Sequence, residues 1–353
     1  MRFGKHLILL IVVVAMFLFS LFQSFVPPAF SPLEASIKIE KLFSREKSEE
    51  KEIRMLVFGD LMLDRYVSQK IKQKGVDFVF SEVSPLLKEN DLILTNLEGP
   101  FTDLKPKNLK SDNLIFTFDP ALLPNLKQYG FNLFNLANNH TLNYGKEGLN
   151  QSRNYLQQNS IDYFGDPLND HSLSLIKPIK GVRFAFIGFN DLEVTDFNKV
   201  LKEIGEVKKE VEFVIVYVHW GNEYQTNFSQ RQQEKGRQMI DYGADVVFGS
   251  HPHVIQPIEV YKEKVIFYSL GNFVFDQTFS KETQQGLVVR LVFRNQKVSY
   301  GLIPLDLTNV QVKVMKDSQR KEILEKISLN SMGSEKIKRQ ILEGRLDLDE
   351  GEK

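Results

Sequence analysis

Seven residues able to bind a cation or move a proton recur at one kind of place in this sequence, the step just past a short apolar run. The run 53–58 leads into Gly59-Asp60, 92–95 into Asn96-Leu97-Glu98, and 133–136 into Ala137-Asn138-Asn139-His140. The run 213–218 leads into His219-Trp220-Gly221, and 246–248 into Gly249-Ser250-His251-Pro252-His253. These ends supply the carboxylates of Asp60 and Glu98, the amide of Asn139, and His140, His219, His251 and His253, four of the six histidines in the chain. Carboxylates and imidazoles without thiolates suit hard and borderline divalent ions, and an imidazole that is not a ligand can carry a proton. Singly, each position has a structural explanation. Asp60 can cap a helix, Glu98-Gly99-Pro100 reads as an exposed turn, Asn138-Asn139 suits a left-handed turn, and His219 suits a hydrogen-bonded interior histidine. Their shared placement outweighs those explanations, because open α/β sheets place ligands beyond the C-terminal ends of their strands. His251 and His253 alternate, so an extended backbone would turn both rings to one side. His6 flanks the N-terminal apolar run and His171 lies in a polar loop, and neither is assigned a role.

The elements that must position these residues follow from the pattern around them. Amphipathic stretches at 120–129, 147–158, 197–209 and 229–242 separate the apolar runs, and strands alternating with helices imply an α/β fold. Later runs at 258–261, 265–269, 287–294 and 298–304 are joined by short polar turns and read as antiparallel pairs. From Lys316 onward isolated Ile and Leu in a Lys/Glu/Ser background predict a peripheral helix and a frayed tail. With 353 residues, 42% hydrophobic, 25% charged and 28 Phe, the chain can bury one large core. Lys plus Arg and Asp plus Glu both number 45, which gives no global field for nucleic acid. The absence of cysteine excludes disulfides, thiolate metal sites and a cysteine nucleophile. Residues 7–26 are apolar, follow Arg2 and Lys5, and are long enough to cross a bilayer as a helix; no A-x-A-like cleavage site follows them. The expected organisation is therefore a cytoplasmic N-terminus 1–6, a transmembrane signal anchor 7–26, a charged spacer 27–52, a main domain 53–310 on the outer side of the cytoplasmic membrane, and a peripheral C-terminal helix and tail 311–353.

Six blocks, in order, resemble the signature of the CapA family of poly-γ-glutamate capsule proteins: Gly59-Asp60-Leu61-Met62, Asn96-Leu97-Glu98, Ala137-Asn138-Asn139-His140-Thr141-Leu142, His219-Trp220-Gly221-Asn222-Glu223-Tyr224, His251-Pro252-His253 and Tyr268-Ser269-Leu270-Gly271-Asn272-Phe273. The resemblance spans roughly 53–304. It implies the fold of calcineurin-like metallophosphoesterases, a β-sandwich flanked by helices. It further implies that Asp60 and His253 bind a first metal, Glu98 bridges two, Asn139, His219 and His251 bind the second, and His140 is a non-ligand imidazole near the leaving group. Oxygen and nitrogen ligands admit Mn²⁺, Fe or Zn²⁺, with Mn²⁺ favoured. Two positions depart from the pattern. Met62 stands where a phosphoesterase has a histidine ligand, and a thioether is a poor ligand for a hard ion. Asn143 stands where the family often has aspartate, which removes a charge able to orient His140.

Three functions are compatible with these features. The first is a membrane-anchored protein of poly-γ-glutamate synthesis or export whose metal pocket handles that polymer or another anionic envelope polymer. The second is a metal-dependent phosphoesterase acting on an envelope phosphoester. The third is a non-catalytic scaffold partnered with membrane synthase subunits. Retained ligand types oppose the third and Met62 opposes an unmodified version of the second.

Overall fold

The computed structural model describes residues 52–104, 114–169, 172–193, 196–294 and 297–348. The expected anchor 7–26, all but the last residue of the spacer 27–52, and His171 lie outside them. Among the described residues no helix is long and apolar enough to cross a membrane.

Two sheets are built in chain order. The first begins with β1 (Ile53–Leu61), β2 (Leu92–Leu97), β3 (Leu133–Asn135) and β4 (Asp162–Phe164), all parallel to their neighbours. The second contains β5 (Ser174–Ile179), β6 (Val182–Asn190), β7 (Phe213–His219), β8 (Val246–Ser250), β9 (Ile258–Tyr261) and β10 (Lys264–Phe267), in the order β5-β6-β7-β8-β10-β9. The chain then returns to the first sheet with β11 (Asn272–Val274), which pairs parallel to β1, and with β12 (Gln285–Arg294), β13 (Lys297–Asp306), β14 (Lys313–Val314) and β15 (Arg345–Asp347). The two late pairs, β9 with β10 and β12 with β13, are antiparallel as their turns predict.

Side-chain alternation makes this a sandwich. On β1, Met55 and Val57 face a core shared with Phe186, Ile215 and Phe248 of the second sheet, while Leu56 and Phe58 face outward. On β7, Ile215 and Tyr217 face inward and Val214, Val216 and Val218 outward. Both faces of each central strand are covered, which is why these strands read as unbroken apolar runs. The outer face of the first sheet packs on α1 (Arg65–Lys74), α2 (Asp77–Phe80), α3 (Ser84–Leu87), α4 (Leu123–Gln128) and α5 (Gly145–Gln158). The outer face of the second packs on α6 (Phe197–Val207) and α7 (Gln230–Asp241). Ser229 caps α7 through a reciprocal pair with Gln232.

The C-terminal segment differs from a helix with a frayed tail. It forms two helices, α8 (Asp317–Asn330) and α9 (Glu335–Glu343), and Ile323, Leu324, Ile327, Ile337 and Ile341 join the inter-sheet core. The apolar residues that looked isolated are spaced to reach one buried face of each helix.

Candidate metal centre

The parallel strands of both sheets deliver their C-terminal ends to one place. In the first sheet Asp60 of β1 is level with Asn96 of β2, and Asn96 with Asn135 of β3. In the second, His219 of β7 is level with Ser250 of β8. Just beneath, the buried Tyr217 hydroxyl donates to the Phe58 carbonyl at 2.7 Å and ties the two sheets together. The His251 amide donates to Asp60 Oδ2 at 3.2 Å, so the ends of β1 and β8 meet.

All seven residues singled out from the sequence converge here. Asp60, Glu98 and His219 have no exposed surface, His253 has 2%, and His251 and His140 keep 7% and 9%. Asn139 is half-buried and its Oδ1 lies 2.9 Å from His219 Nε2. Ligand atoms of Asp60, Glu98 and His219 lie within 4.8 Å of one another, and so do those of Glu223, His251 and His253. The resemblance assigns Asp60 and His219 to different ions, whereas the first of these groups joins them.

Side-chain amides fix the imidazoles. Asn143 Oδ1 accepts the Phe116 amide at 2.7 Å, which identifies that atom as oxygen, and His140 Nδ1 lies 3.1 Å from it. In its neutral form His140 then carries its proton on Nδ1 and turns a lone pair on Nε2 towards Glu98. Asn143 thus orients His140 without the negative charge that aspartate would bring. In the same way, Asn272 Nδ2 donates to the Thr283 carbonyl at 2.9 Å, so Asn272 Oδ1 accepts from His253 Nδ1 at 3.0 Å. In the neutral ring His253 Nε2 is then a second inward lone pair. Phe116 covers the His140 ring at 4.3 Å and Phe275 covers His253 at 4.8 Å between centroids, which keeps the walls apolar.

These lone pairs meet the carboxylate of Glu98. Its Oε1 lies 3.5 Å from His253 Nε2 and 3.8 Å from His140 Nε2, and neither Glu98 oxygen has a hydrogen-bond partner. A buried carboxylate facing acceptors needs a proton or a cation, because an unpaired ion in the interior costs several kcal/mol or more. Burial, then the charge of Asp60, pushes the Glu98 carboxyl well above the usual range. Asp60 is also raised by burial, but His253, His219 and Asn96 outweigh that and hold it below its ordinary value. Burial, with like charge from neighbouring histidines, lowers His251 and His140 to about 4 each and His219 well below the usual range. Imidazoles lowered in this way keep their lone pairs, and with the carboxyl groups of Asp60 and Glu98 among them the residues present fit a divalent cation, which would take the place of the Glu98 proton.

Two expectations are corrected. His251 and His253 do not sit on extended backbone; their φ values are +93° and +57°. Left-handed backbone on both sides of Pro252 turns the rings into the pocket at 5.9 Å between centroids, at a cost typical of functional sites. Asn138 and Asn139 are absent from the left-handed residues. Instead Asn138 Oδ1 accepts the amides of His140 and Thr141, each at 3.0 Å, while its Nδ2 donates to the Leu97 carbonyl at 2.8 Å. Met62 is fully buried in the outer core of the first sheet, and its Sδ accepts the Asp64 amide.

Sequence reasoning assigned no role to Glu223, Asn96, Asn272 and Ser250. Asn96 Nδ2 donates to Asp60 Oδ1 at 2.8 Å, and Ser250 Oγ lies 2.8 Å from His219 Nδ1. Asn96 and Ser250 stand within the strand-end segments, and that position was the available signal. Asn272 and Glu223 stand only within the blocks 268–273 and 219–224 that carry the family resemblance.

A family model described as bacterial capsule synthesis protein PGA_cap matches residues 54–277. The PGA biosynthesis protein CapA of Bacillus subtilis is 32% identical over 310 residues, covering 82% of this chain and 80% of that protein. The capsule biosynthesis protein CapA of Bacillus anthracis is 34% identical over 281 residues, covering 73% and 68%. A solved structure of a novel phosphatase from Mycoplasma pneumoniae is 15% identical, with a TM-score of 0.45, covering 76% of this chain and 96% of that one. The chain belongs to the bacterial capsule synthesis protein PGA_cap family, the CapA family.

Proposed function

We propose that this protein acts in the synthesis or export of poly-γ-glutamate, or of another anionic envelope polymer, through a divalent-metal pocket of hydrolase type on the outer side of the cytoplasmic membrane. The observation that carries the reading is the Glu98 carboxylate, buried without a hydrogen-bond donor between two imidazole lone pairs. The polymer is suggested by the CapA resemblance and by the name of the Bacillus subtilis relative, a PGA biosynthesis protein. Asp60, Glu98, Asn139, His219, His251 and His253 would hold the ions, with Mn²⁺ favoured over Fe or Zn²⁺ for a set of oxygen and nitrogen donors. Divalent ions bound there would activate water and polarise an ester or amide oxygen. His140 contributes Nε2 as the atom that takes up or returns a proton, because Asn143 engages Nδ1. Phe116 and Phe275 exclude water from the backs of the two imidazoles.

The test is elemental analysis of the purified full-length chain, followed by assays on poly-γ-glutamate and on a phosphodiester reporter. Stoichiometric Mn²⁺ with shortening of the polymer is expected. Turnover of the phosphodiester alone would move the protein to the phosphoesterases, and metal without any turnover would make it a scaffold. The anchor is part of the same proposal and has its own test. Mass spectrometry of the mature membrane-bound chain should find residues 7–26 still attached, and a soluble chain beginning near Phe30 would refute it.

A further inference from the structure

One carboxylate at the pocket lies outside the ligand set that the resemblance implies. Glu223 stands on the exposed loop after β7, yet one of its oxygens comes within 4.8 Å of ligand atoms of His251 and His253, which are also within that distance of each other. Three features hold the loop at this position. Trp220 donates its indole N–H to the Tyr268 carbonyl at 2.8 Å, and Gly221 turns at φ +83° against the Gln232 side chain. The Tyr224 amide donates to the carbonyl of Pro252, the residue between the two histidines, at 2.8 Å. Tyr224 is itself left-handed at φ +64°, so strained backbone occurs on both segments that face each other here.

Two further observations point to a ligand. His251 Nδ1 is buried without a hydrogen-bond partner. Met62 supplies no donor, because its side chain is sealed in the core with its sulfur on the Asp64 amide. We propose that Glu223 is a metal ligand which, with His251 and His253, completes an ion site at the mouth of the pocket and replaces the donor that residue 62 does not provide. The inference rests on the reading of the pocket as a divalent-metal centre. Two imidazoles and one carboxylate form a donor set suited to Mn²⁺, Fe or Zn²⁺. The carboxylate comes from an exposed loop, so this ion is the more weakly held and the more open to an incoming anionic chain.

Mn²⁺ titration of the full-length protein, followed by calorimetry and by the electron spin resonance of bound Mn²⁺, separates the claims. Wild type should bind two ions. Glu223→Gln should keep one at its original affinity and weaken the other by about tenfold or more, with the thermal midpoint of the metal-free chain unchanged because the residue is exposed. Glu98→Gln should weaken both. If Glu223→Gln binds Mn²⁺ with wild-type stoichiometry and affinity, the role of Glu223 is overturned and the metal centre stands. If wild type binds no Mn²⁺, the metal reading itself fails and Glu223 falls with it.

Discussion

Glu98→Gln is expected to stabilise the metal-free protein while removing its response to Mn²⁺. In the wild type the Glu98 oxygens have no donor, and Oε1 faces the Nε2 lone pairs of His140 and His253. A glutamine can place its NH₂ group where Oε1 now lies and donate to both imidazoles, which turns a repulsive contact into hydrogen bonds. Relieving one unsatisfied buried group is worth about 1–3 kcal/mol, and somewhat more when the group is charged. For a chain of this size that is about 1–2 °C in the thermal midpoint per kcal/mol. The sign of the pH dependence follows from the same contact. A carboxyl raised in the folded state binds more protons folded than unfolded, so the metal-free wild type loses stability as pH rises above the ordinary glutamate range. The variant lacks that slope. With Mn²⁺ at a hundred times its dissociation constant, wild type should gain about 2.7 kcal/mol per bound ion and the variant almost nothing. Scanning calorimetry in chelator and in Mn²⁺, at two pH values, decides the matter. A less stable metal-free variant, or one that keeps the full Mn²⁺ shift, would refute the reading of Glu98.

That prediction depends on atoms that the sequence did not reveal, although the residue itself was visible. Glu98 was visible because β2 is apolar on both faces and ends abruptly in polar residues. The same contrast marks Asp60, Asn139, His140, His219, His251 and His253. What holds the imidazoles was not visible, because the amides of Asn143 and Asn272 act across turns and no spacing rule encodes a side-chain acceptor. The left-handed backbone at His251 and His253 escaped for a related reason, since positive φ is uncommon for any residue but glycine and nothing in the sequence marks these two histidines for it. Glu223 is exposed on a loop and becomes meaningful only when β7 and β8 lie side by side.

The fold shows the same division. Central strands declared themselves, but β4 and β5 did not. β4 has only three residues, and β5 carries Lys177 and Pro178 on a sheet edge, where a missing donor is tolerated. Sequence order also could not show that the chain leaves the first sheet after β4 and re-enters it at β11. That return matters for function, since it brings Gly271 and Asn272 beside β1 and gives His253 the acceptor that fixes its Nδ1 proton.

The return strand makes Gly59→Ala the substitution with the largest expected cost. A Cβ at Gly59 would lie 1.8 Å from the Gly271 carbonyl oxygen and 2.9 Å from its carbon. Both are backbone atoms, so no side-chain rotation relieves the contact. The Gly271 carbonyl also accepts the Asp60 amide at 3.1 Å, and the Gly59 carbonyl accepts the Thr95 hydroxyl at 2.7 Å. Separating the segments enough to admit a methyl group therefore breaks bonds at both ends of the Gly59–Asp60 peptide group. It also displaces Asn272, the partner of His253. Overpacking of this kind costs about 1–3 kcal/mol when neighbours can yield, and more when they are backbone. We expect at least about 3 kcal/mol here, together with loss of Mn²⁺ binding. Gly205→Ala is the control of opposite sign. Gly205 lies within α6, its φ is not positive, and the nearest atom to an added Cβ is the Tyr242 carbonyl oxygen at 3.8 Å, an ordinary contact. Alanine there should stabilise the protein by about 0.5–1 kcal/mol through reduced backbone entropy of the unfolded chain, with Mn²⁺ binding unchanged. Denaturant unfolding and Mn²⁺ titration of both variants provide the measurement. A Gly59→Ala protein with wild-type stability would mean that β1 and the Gly271 turn do not approach this closely, and the position of Asn272 beside His253 would have to be given up with it.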